Sequence, residues 1–228
     1  AEAALTVNRS RVIVNEESKS VSMSVTNRNN QEPYLAQTWI EDETETKLTS
    51  PLMALPPVQR IEAGGKSSVR IRVLPDINTL PKDRESVFWF NMREIPPRSD
   101  KPNVLTLALQ TRLKIFWRPA AIKIDSKVDT VPGMLNVTLA KNGNRYILNN
   151  PTPYHLTFVE GRRAAMENAS EGFEPLMVAP KSQSTLSVGV NELGNSPILV
   201  FVNDYGSLRL LAFQCTASAC KAEAVIAP

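Results

Sequence analysis

The chain is short of the residues that several classes of protein need. Its 228 residues include 9 glycines, 2 cysteines and 1 histidine, and 26 basic residues nearly balance 23 acidic ones. Nucleic-acid-binding surfaces usually carry clustered basic residues, so we expect no nucleic-acid partner. No run approaches the roughly 18 consecutive apolar residues of a membrane-spanning helix, and the first residues lack the basic and apolar regions of a signal peptide. The sequence therefore predicts a soluble chain without membrane insertion.

Catalytic and cofactor-binding motifs are missing as well. The single histidine, His155, has no recognisable nucleophile motif near it, and the acidic residues at 41–45 lie in a polar stretch whose charges solvation explains. Residues 64–67, Gly-Gly-Lys-Ser, resemble the end of a phosphate-binding loop, but Arg60 stands where that motif requires glycine. Two adjacent glycines are instead typical of a hairpin turn. We predict no enzymatic activity, no metal site and no cofactor.

Proline and short alternating apolar runs are what the chain has in quantity. Its 17 prolines would interrupt long helices, and runs in which every second residue is apolar are typical of strands. Such runs lie near residues 5–14, 20–27, 34–41, 52–61, 67–74, 86–94, 104–117, 135–140, 145–149, 155–160, 184–190, 198–203 and 208–214. Their number and spacing predict an all-β protein, with an immunoglobulin-like β-sandwich over residues 1–120 and a second β domain over residues 121–228 that would share its architecture.

The segment 103–119 carries the longest alternation. Its apolar row consists of Leu105, Leu107, Leu109, Leu113 and Ile115. A long leucine-bearing strand is an aggregation hazard at a sheet edge, unless its purpose is to pair with another chain. Lys114 lies on the opposite parity, where an ammonium in a buried strand needs an anionic partner. The pattern thus indicates strand pairing with a partner that brings an anion to Lys114.

The two cysteines, Cys215 and Cys220, lie close together near the end of the chain and beyond the last predicted strand. A zinc site would need further ligands that a single histidine cannot supply, so we predict a disulfide; two reduced thiols are the alternative. Closing so short a loop contributes about 2 kcal/mol in the chain-entropy estimate. A disulfide would place the protein in an oxidising compartment.

Several blocks of sequence occur together and in a fixed order. They are Arg11-Val-Ile-Val14, Pro33-Tyr34, Pro56-Pro57, Arg84-Glu-Ser-Val-Phe-Trp-Phe-Asn-Met-Arg-Glu-Ile-Pro-Pro97, Thr111-Arg-Leu-Lys-Ile-Phe-Trp-Arg-Pro119, Asn150-Pro-Thr-Pro-Tyr154 and Asn203-Asp-Tyr-Gly206. With these blocks the chain resembles the periplasmic pilus-assembly chaperones of the PapD-like family over nearly its whole length. The resemblance implies two immunoglobulin-like domains in an angled, L-shaped arrangement with a cleft between them.

The resemblance also implies how such a protein works. Its client is a pilus, or fimbrial, subunit whose C-terminal carboxylate is anchored by Arg11 and Lys114 in the cleft. Leu105, Leu107 and Leu109 form the donor strand, which fills the groove of a subunit that lacks its final strand. By this donor-strand complementation the chaperone prevents aggregation in the periplasm and delivers the subunit to an outer-membrane usher. No cofactor is implied.

The resemblance further implies that a salt-bridge group of Glu85, Arg118 and Asp204 orients the two domains across their hinge.

Two other interpretations of the same β-rich chain stay open. Three glycosylation sequons suit a secreted immunoglobulin-like adhesion or receptor module. A pilus subunit is the second alternative, although the residues before Leu5 are too few for a donor extension. When no client is bound, the leucine row is expected to favour self-association.

Overall fold

The computed structural model describes residues 2–99, 107–125 and 127–228. Within these residues the regular structure is β-strand, apart from short 3-10 turns and a one-turn α-helix at Val190–Leu193. Among the same residues, no helix has the length and apolar character needed to cross a membrane.

The chain forms two compact units. The amino-terminal unit comprises Ala1–Lys82 and Ser86–Ala121, and the carboxy-terminal unit comprises Asp83–Glu85 and Ile122–Pro228. The short segment Asp83–Glu85 therefore belongs to the second unit, although the residues on both sides of it belong to the first. No local pattern in the sequence indicates this assignment.

The strands of the amino-terminal unit form two sheets. In chain order they are β1 (Leu5–Val7), β2 (Arg11–Asn15), β3 (Ser20–Asn27), β4 (Tyr34–Glu41), β5 (Lys47–Leu48), β6 (Leu52–Leu55), β7 (Val58–Ile61), β8 (Lys66–Val73), β9 (Ser86–Ile95) and β10 (Gln110–Arg118). Over the described residues one sheet has the order β1-β3-β8-β6, and the other has the order β2-β10-β9-β4-β5 with β7 also paired to β4. The pair β2–β10 is parallel, whereas β10 and β9 are antiparallel.

The core of this unit lies between its two sheets because the strands alternate apolar and polar side chains. In β3, Met23 and Val25 are buried, and the serine between them is exposed. The other sheet contributes Phe90 from β9 and Ile115 from β10, both fully buried in the same cluster. Each such side chain contributes about 1.5–3 kcal/mol by leaving water, so the period-two pattern determines which face of each strand turns inward.

Two predicted strands are each divided in the structure. The predicted strand 5–14 becomes β1, which pairs with β3, and β2, which pairs with β10 in the other sheet. The predicted strand 52–61 becomes β6 and β7, also in different sheets, because Pro56 and Pro57 between them have no N–H to donate to a ladder. Cis peptide bonds precede Pro51 and Pro56. The buried positions change parity across each break, from Leu5 to Val12 and from Leu52 to Ile61, so neither segment keeps one alternation throughout.

The carboxy-terminal unit is an antiparallel β-sandwich. Its strands are β11 (Thr138–Asn142), β12 (Arg145–Asn150), β13 (Leu156–Arg162), β14 (Leu176–Val178), β15 (Ser182–Gly189), β16 (Ile198–Val202), β17 (Leu208–Cys215) and β18 (Ala219–Ile226). Over the described residues they follow the order β14-β13-β16-β17-β18-β11-β12-β15. Val178 from one end of this order and Leu186 from the other lie in one buried cluster, so the sheet curves around a single core. The predicted all-β, immunoglobulin-like fold class is confirmed.

The last strand, β18, was not predicted from the sequence. It pairs with both β17 and β11, and the expectation that the two cysteines lie beyond the last strand is wrong, because Cys215 ends β17 and Cys220 lies in β18. Its inward-facing positions include Ala222, a small residue of low strand propensity, and the alternation is correspondingly weak. Cys215 and Cys220 face each other across the β17–β18 hairpin, and the predicted disulfide between them is confirmed.

Candidate functional site

The outer edge of β10 is covered along part of its length. On one side β10 pairs with β9 from Gln110 to Trp117. On the other side β2 pairs with β10 from Lys114 to Arg118, and among the described residues no strand continues this ladder along residues 110–113. The backbone groups on this side of residues 110–113 are placed to accept a further strand.

Two cations stand where this edge opens. Arg11 and Lys114 are the first register partners of the parallel β2–β10 ladder. Their neighbours Val12 and Ile115 are fully buried, so by alternation both cations lie on the face of the sheet that turns away from the core. Burial, and after it the charge of Arg11, lower the pKa of Lys114 from 10.5 to about 8. Two adjacent positive charges, one of them partly removed from water, favour the binding of an anion.

Aromatic rings lie beside these cations on the same face. The guanidinium carbon of Arg11 is 5.4 Å from the centre of the Phe116 ring, and the ammonium nitrogen of Lys114 is 5.8 Å from the centre of the Trp89 ring. Such contacts stabilise a cation modestly and restrict where it points. The two positive side chains are thus oriented by the sheet face.

A third cation on this face was not singled out from the sequence. The guanidinium carbon of Arg112 lies 3.9 Å from the centre of the Trp89 ring, and its Nη2 is 3.7 Å from a carboxylate oxygen of Glu41. The shared even parity of Arg112 and Lys114 in one strand is the signal that could have found it. Any strand added along residues 110–113 would therefore lie beside a cationic surface.

The apolar row divides into a buried part and an exposed part. Leu113 and Ile115 are core residues, whereas Leu107 is 55% exposed and Leu109 is half-buried. Leu105 lies outside the described residues. This division leaves leucine side chains accessible immediately before the open edge.

The predicted strand 104–117 needs a correction at its start. Over the described residues the strand begins at Gln110, and residues 107–109 precede it without strand structure. The physical reason is the end of the neighbouring strand: β9 stops at Ile95, and Pro96 and Pro97 after it cannot donate ladder hydrogen bonds. In the β9–β10 register Leu109 still lies opposite Glu94, whose backbone N–H donates to its carbonyl oxygen, and the pairing is lost towards Leu107, which would lie opposite Pro96.

The three residues of the implied salt-bridge group are distributed over both units. Arg118 ends β10 in the amino-terminal unit, and Glu85 and Asp204 belong to the carboxy-terminal unit. Arg118 and Glu85 are both buried. The ion-pair role of the group stays a prediction.

Glu85 has a partner that the sequence reasoning missed. Its Oε1 accepts the backbone N–H of His155 at 2.6 Å and lies 3.4 Å from Nδ1 of the His155 ring. The two residues are far apart in the chain, so no local motif links them. Among the described residues no cluster of His, Cys, Asp or Glu side chains is arranged to hold a metal ion.

Known proteins are similar to this chain over nearly its full length. Residues 4–123 match the family described as pili and flagellar-assembly chaperone, PapD N-terminal domain, and residues 130–211 match pili assembly chaperone PapD, C-terminal domain. The chain is 46% identical over 222 residues to the probable fimbrial chaperone YfcS of Escherichia coli strain K12, covering 97% of this chain and 86% of that protein. It is 45% identical over 225 residues to the chaperone protein PapD of Escherichia coli, covering 96% and 90%.

A solved structure shares the fold. It is the Salmonella enterica SafA pilin in complex with the SafB chaperone, with a TM-score of 0.77 at 23% identity, covering 94% of this chain and 98% of that chain. Fold and sequence together define a two-domain, immunoglobulin-like assembly chaperone for pili. The chain belongs to the PapD-like family of fimbrial chaperones of the chaperone–usher pathway.

Proposed function

We propose that this chaperone works in the periplasm, where it binds fimbrial subunits by donor-strand complementation, keeps them from aggregating and delivers them to an outer-membrane usher. The observation that carries the proposal is the position of Arg11 and Lys114, adjacent to each other at the point where the edge of β10 becomes open. A carboxylate at the end of a client strand would meet both cations there, and charge-assisted hydrogen bonds to carboxylates are among the strong ones.

The anchor determines the direction of the client strand. A strand lying along residues 110–113 on the β2 side reaches Lys114 with its C-terminus when it runs parallel to β10, as β2 does. An antiparallel strand would bring its N-terminus, a positive group, to the two cations. The client strand thus continues the line of β2 in the same direction, and its terminal carboxylate sets the register of every residue before it.

The leucines before the open edge supply the apolar part of the interaction. Leu107 is exposed and Leu109 is half-buried, and we propose that Leu105, Leu107 and Leu109 enter the groove of an incomplete subunit. Each leucine that becomes fully buried contributes about 1.5–3 kcal/mol. SafB, which shares the fold, is in complex with a pilin, in keeping with a fimbrial subunit as the client here.

The remaining parts of the proposal concern location and domain geometry. The disulfide Cys215–Cys220 suits an oxidising compartment such as the periplasm. We propose that Glu85, Arg118 and Asp204 form an ion-pair group between the units, whose role is to specify their geometry rather than to add stability. The proposed role is non-catalytic and needs no cofactor, in line with the chaperone names of the relatives.

A co-expression experiment tests the anchor. The chain is produced with a candidate pilin, and the soluble complex is compared for wild type, Arg11→Ala, Lys114→Ala and the control Arg9→Ala, which removes an exposed cation outside the strands. We expect the first two variants to lose the complex and the control to keep it. Unchanged recovery with both anchor variants would contradict the anchor. It would favour instead an immunoglobulin-like adhesion module, which has no need of these cations.

A peptide assay tests the carboxylate itself. The probe is a synthetic peptide of alternating valine and threonine with a free C-terminal carboxylate, and its matched control carries a C-terminal amide. We expect binding of the free acid alone, and we expect Arg11→Ala to abolish the difference between the two peptides. Equal binding of both peptides to the wild-type chain would show that the edge pairs strands without an anchor.

A further inference from the structure

Glu94 is a buried carboxylate inside the amino-terminal sandwich. It lies near the end of β9 on the same side of the strand as Phe90 and Met92, and it is 4% exposed. A charged side chain at such a position is costly unless hydrogen bonds compensate for the lost water. An apolar residue would fill the place at lower cost, so the partners of Glu94 indicate what the carboxylate does.

Both carboxylate oxygens accept backbone N–H groups, and the two donors come from separate segments. Oε2 accepts the N–H of Leu5 at 3.0 Å, and Oε1 accepts the N–H of Leu109 at 3.4 Å. The backbone N–H of Glu94 in turn donates to the carbonyl oxygen of Leu109 at 3.0 Å. Leu109 is therefore held by Glu94 through both its backbone groups.

The two donors belong to different sheets. Leu5 is in β1, the edge strand of one sheet, and Leu109 immediately precedes β10 in the other. The carboxylate thus joins the two sheets on the side of the sandwich where the edge of β10 is open. A groove of about 300 Å³, lined in part by Ala4, Leu107 and Leu109, lies beside this junction.

We propose that Glu94 is a positioning residue for client binding. It holds Leu109 in place relative to Lys114, five residues later, or about 16 Å at roughly 3.3 Å per extended residue. A client strand meets both the anchor and the donor leucines, so the two must keep a constant separation for the client to engage them together. Glu94 sets that separation at the leucine end, as Arg11 and Lys114 set it at the carboxylate end. This inference rests on the proposed function.

The test is Glu94→Gln, which keeps the shape of the side chain but replaces one acceptor oxygen by an NH2 group that cannot accept. Glu43→Gln, at an exposed position of the same unit, removes the same charge as a control. Amide hydrogen exchange is measured at Leu5 and Leu109, and dissociation of the free-acid valine–threonine peptide is measured on the same samples. We expect about tenfold lower protection at one or both amides and about tenfold faster dissociation with Glu94→Gln, and wild-type values with Glu43→Gln.

A merely structural role gives a different pattern. It would lower the protection of Val25 and Ile71, in the core of the opposite sheet, as much as that of Leu109, and it would leave peptide dissociation at the wild-type rate. That pattern would overturn the proposal. If Glu94→Gln does not fold, Glu94→Asp replaces it; this variant keeps the charge but is too short to serve both segments, and the same two measurements are expected to change in the same directions.

Arg11→Ala in the same peptide assay separates this inference from the function on which it rests. Wild-type binding by Arg11→Ala would contradict the proposed anchor itself. Loss of binding by Arg11→Ala, together with wild-type exchange and dissociation in Glu94→Gln, would leave the proposed function standing and overturn the positioning role of Glu94 alone.

Discussion

Arg11 and Lys114 lie directly opposite each other as the first pair of the parallel β2–β10 ladder, and both carry positive charge. Like charges placed opposite each other in a sheet are destabilising. Burial adds to this cost. Burial and the charge of Arg11 both lower the pKa of Lys114, which means that both disfavour its charged form. We therefore propose that a bound anion relieves the repulsion between Arg11 and Lys114, and the predictions below test this.

Lys114→Met should stabilise the free chain and weaken client binding. The substitution removes the repulsion from Arg11, for which we expect a gain of roughly 0.2–1 kcal/mol in the free energy of unfolding. Binding of the free-acid peptide should weaken by at least about tenfold, because the carboxylate loses a charged partner. Urea unfolding and peptide titration measure the two effects. Loss of stability in the free variant would show that Lys114 serves the fold itself.

The stability of the free chain should depend on pH through Lys114. The pKa of this group is lowered from 10.5 to about 8 in the folded chain, so between these values the unfolded chain holds more protons than the folded one. The free energy of unfolding from this group therefore rises as the pH rises from about 8 to 10.5. Urea unfolding across this range, with Lys114→Met as the control that lacks the group, measures the contribution. An identical slope in both proteins would contradict it.

Client binding should show the opposite dependence on pH. Above a pH of about 8 the ammonium of Lys114 loses its proton, and the neutral amine attracts a carboxylate less. Arg11 stays charged throughout this range, so binding should weaken without vanishing. Titration with the free-acid peptide, using Lys114→Arg as the non-titrating control, checks this. If the wild-type chain binds the peptide with the same affinity below and above a pH of about 8, Lys114 has no role in the anchor.

Leu107→Glu should fold normally and fail to protect a client. The side chain is 55% exposed, so the free chain gains no buried charge, whereas a bound subunit would have to bury it. Leu135→Glu, at a position that is 51% exposed in the other unit, is the matched control. Protection of a candidate pilin from proteolysis is the measurement. Self-association of the Leu107→Glu variant should also fall below that of the wild-type chain. A Leu107→Glu variant that still protects the pilin would exclude Leu107 from the donor row.

Asn150→Ala should destabilise the carboxy-terminal unit. The buried amide of Asn150 donates to the carbonyl oxygens of Tyr154 at 2.8 Å and Ala179 at 3.1 Å. Its own oxygen accepts the backbone N–H of Thr152 at 3.0 Å. Removing the side chain leaves buried backbone groups unsatisfied, at about 1–3 kcal/mol each. Asn168→Ala, at an exposed position, should have little effect in the same thermal unfolding experiment; equal melting temperatures for the two variants would contradict this account.

The positions of several strands, and with them the class of fold, could be predicted from the sequence. Ser20–Asn27 and Tyr34–Glu41 have the predicted bounds because their alternation is regular and each stays within one sheet. β18 was missed because small residues weaken its pattern. The start of β10 was misplaced because the alternation of leucines continues into residues 107–109, whereas β9 ends at Ile95 and is followed by two prolines that cannot donate to a ladder.

The residues of the candidate site likewise divide into those that the sequence indicated and those that only the structure shows. Lys114 was singled out from its parity, and its pairing with Arg11 came from motifs shared with a family. Arg112 has the parity of Lys114 but was not named, and nothing local distinguishes Glu94 from other charged strand residues. Only the assembled sandwich brings Arg11 beside Lys114 and places Glu94 between Leu5 and Leu109.

By itself, then, the sequence determined that the chain is all-β, that its two cysteines pair and that its motifs are those of a pilus-assembly chaperone, because these properties depend on residue type and short-range spacing. The tertiary structure decided which sheet each half of the first predicted strand joins, where the edge of β10 opens, and which buried carboxylate holds its beginning. Those features depend on backbone hydrogen bonds between segments far apart in the chain, and the register of such bonds is set by the packing of the whole sandwich rather than by any local pattern.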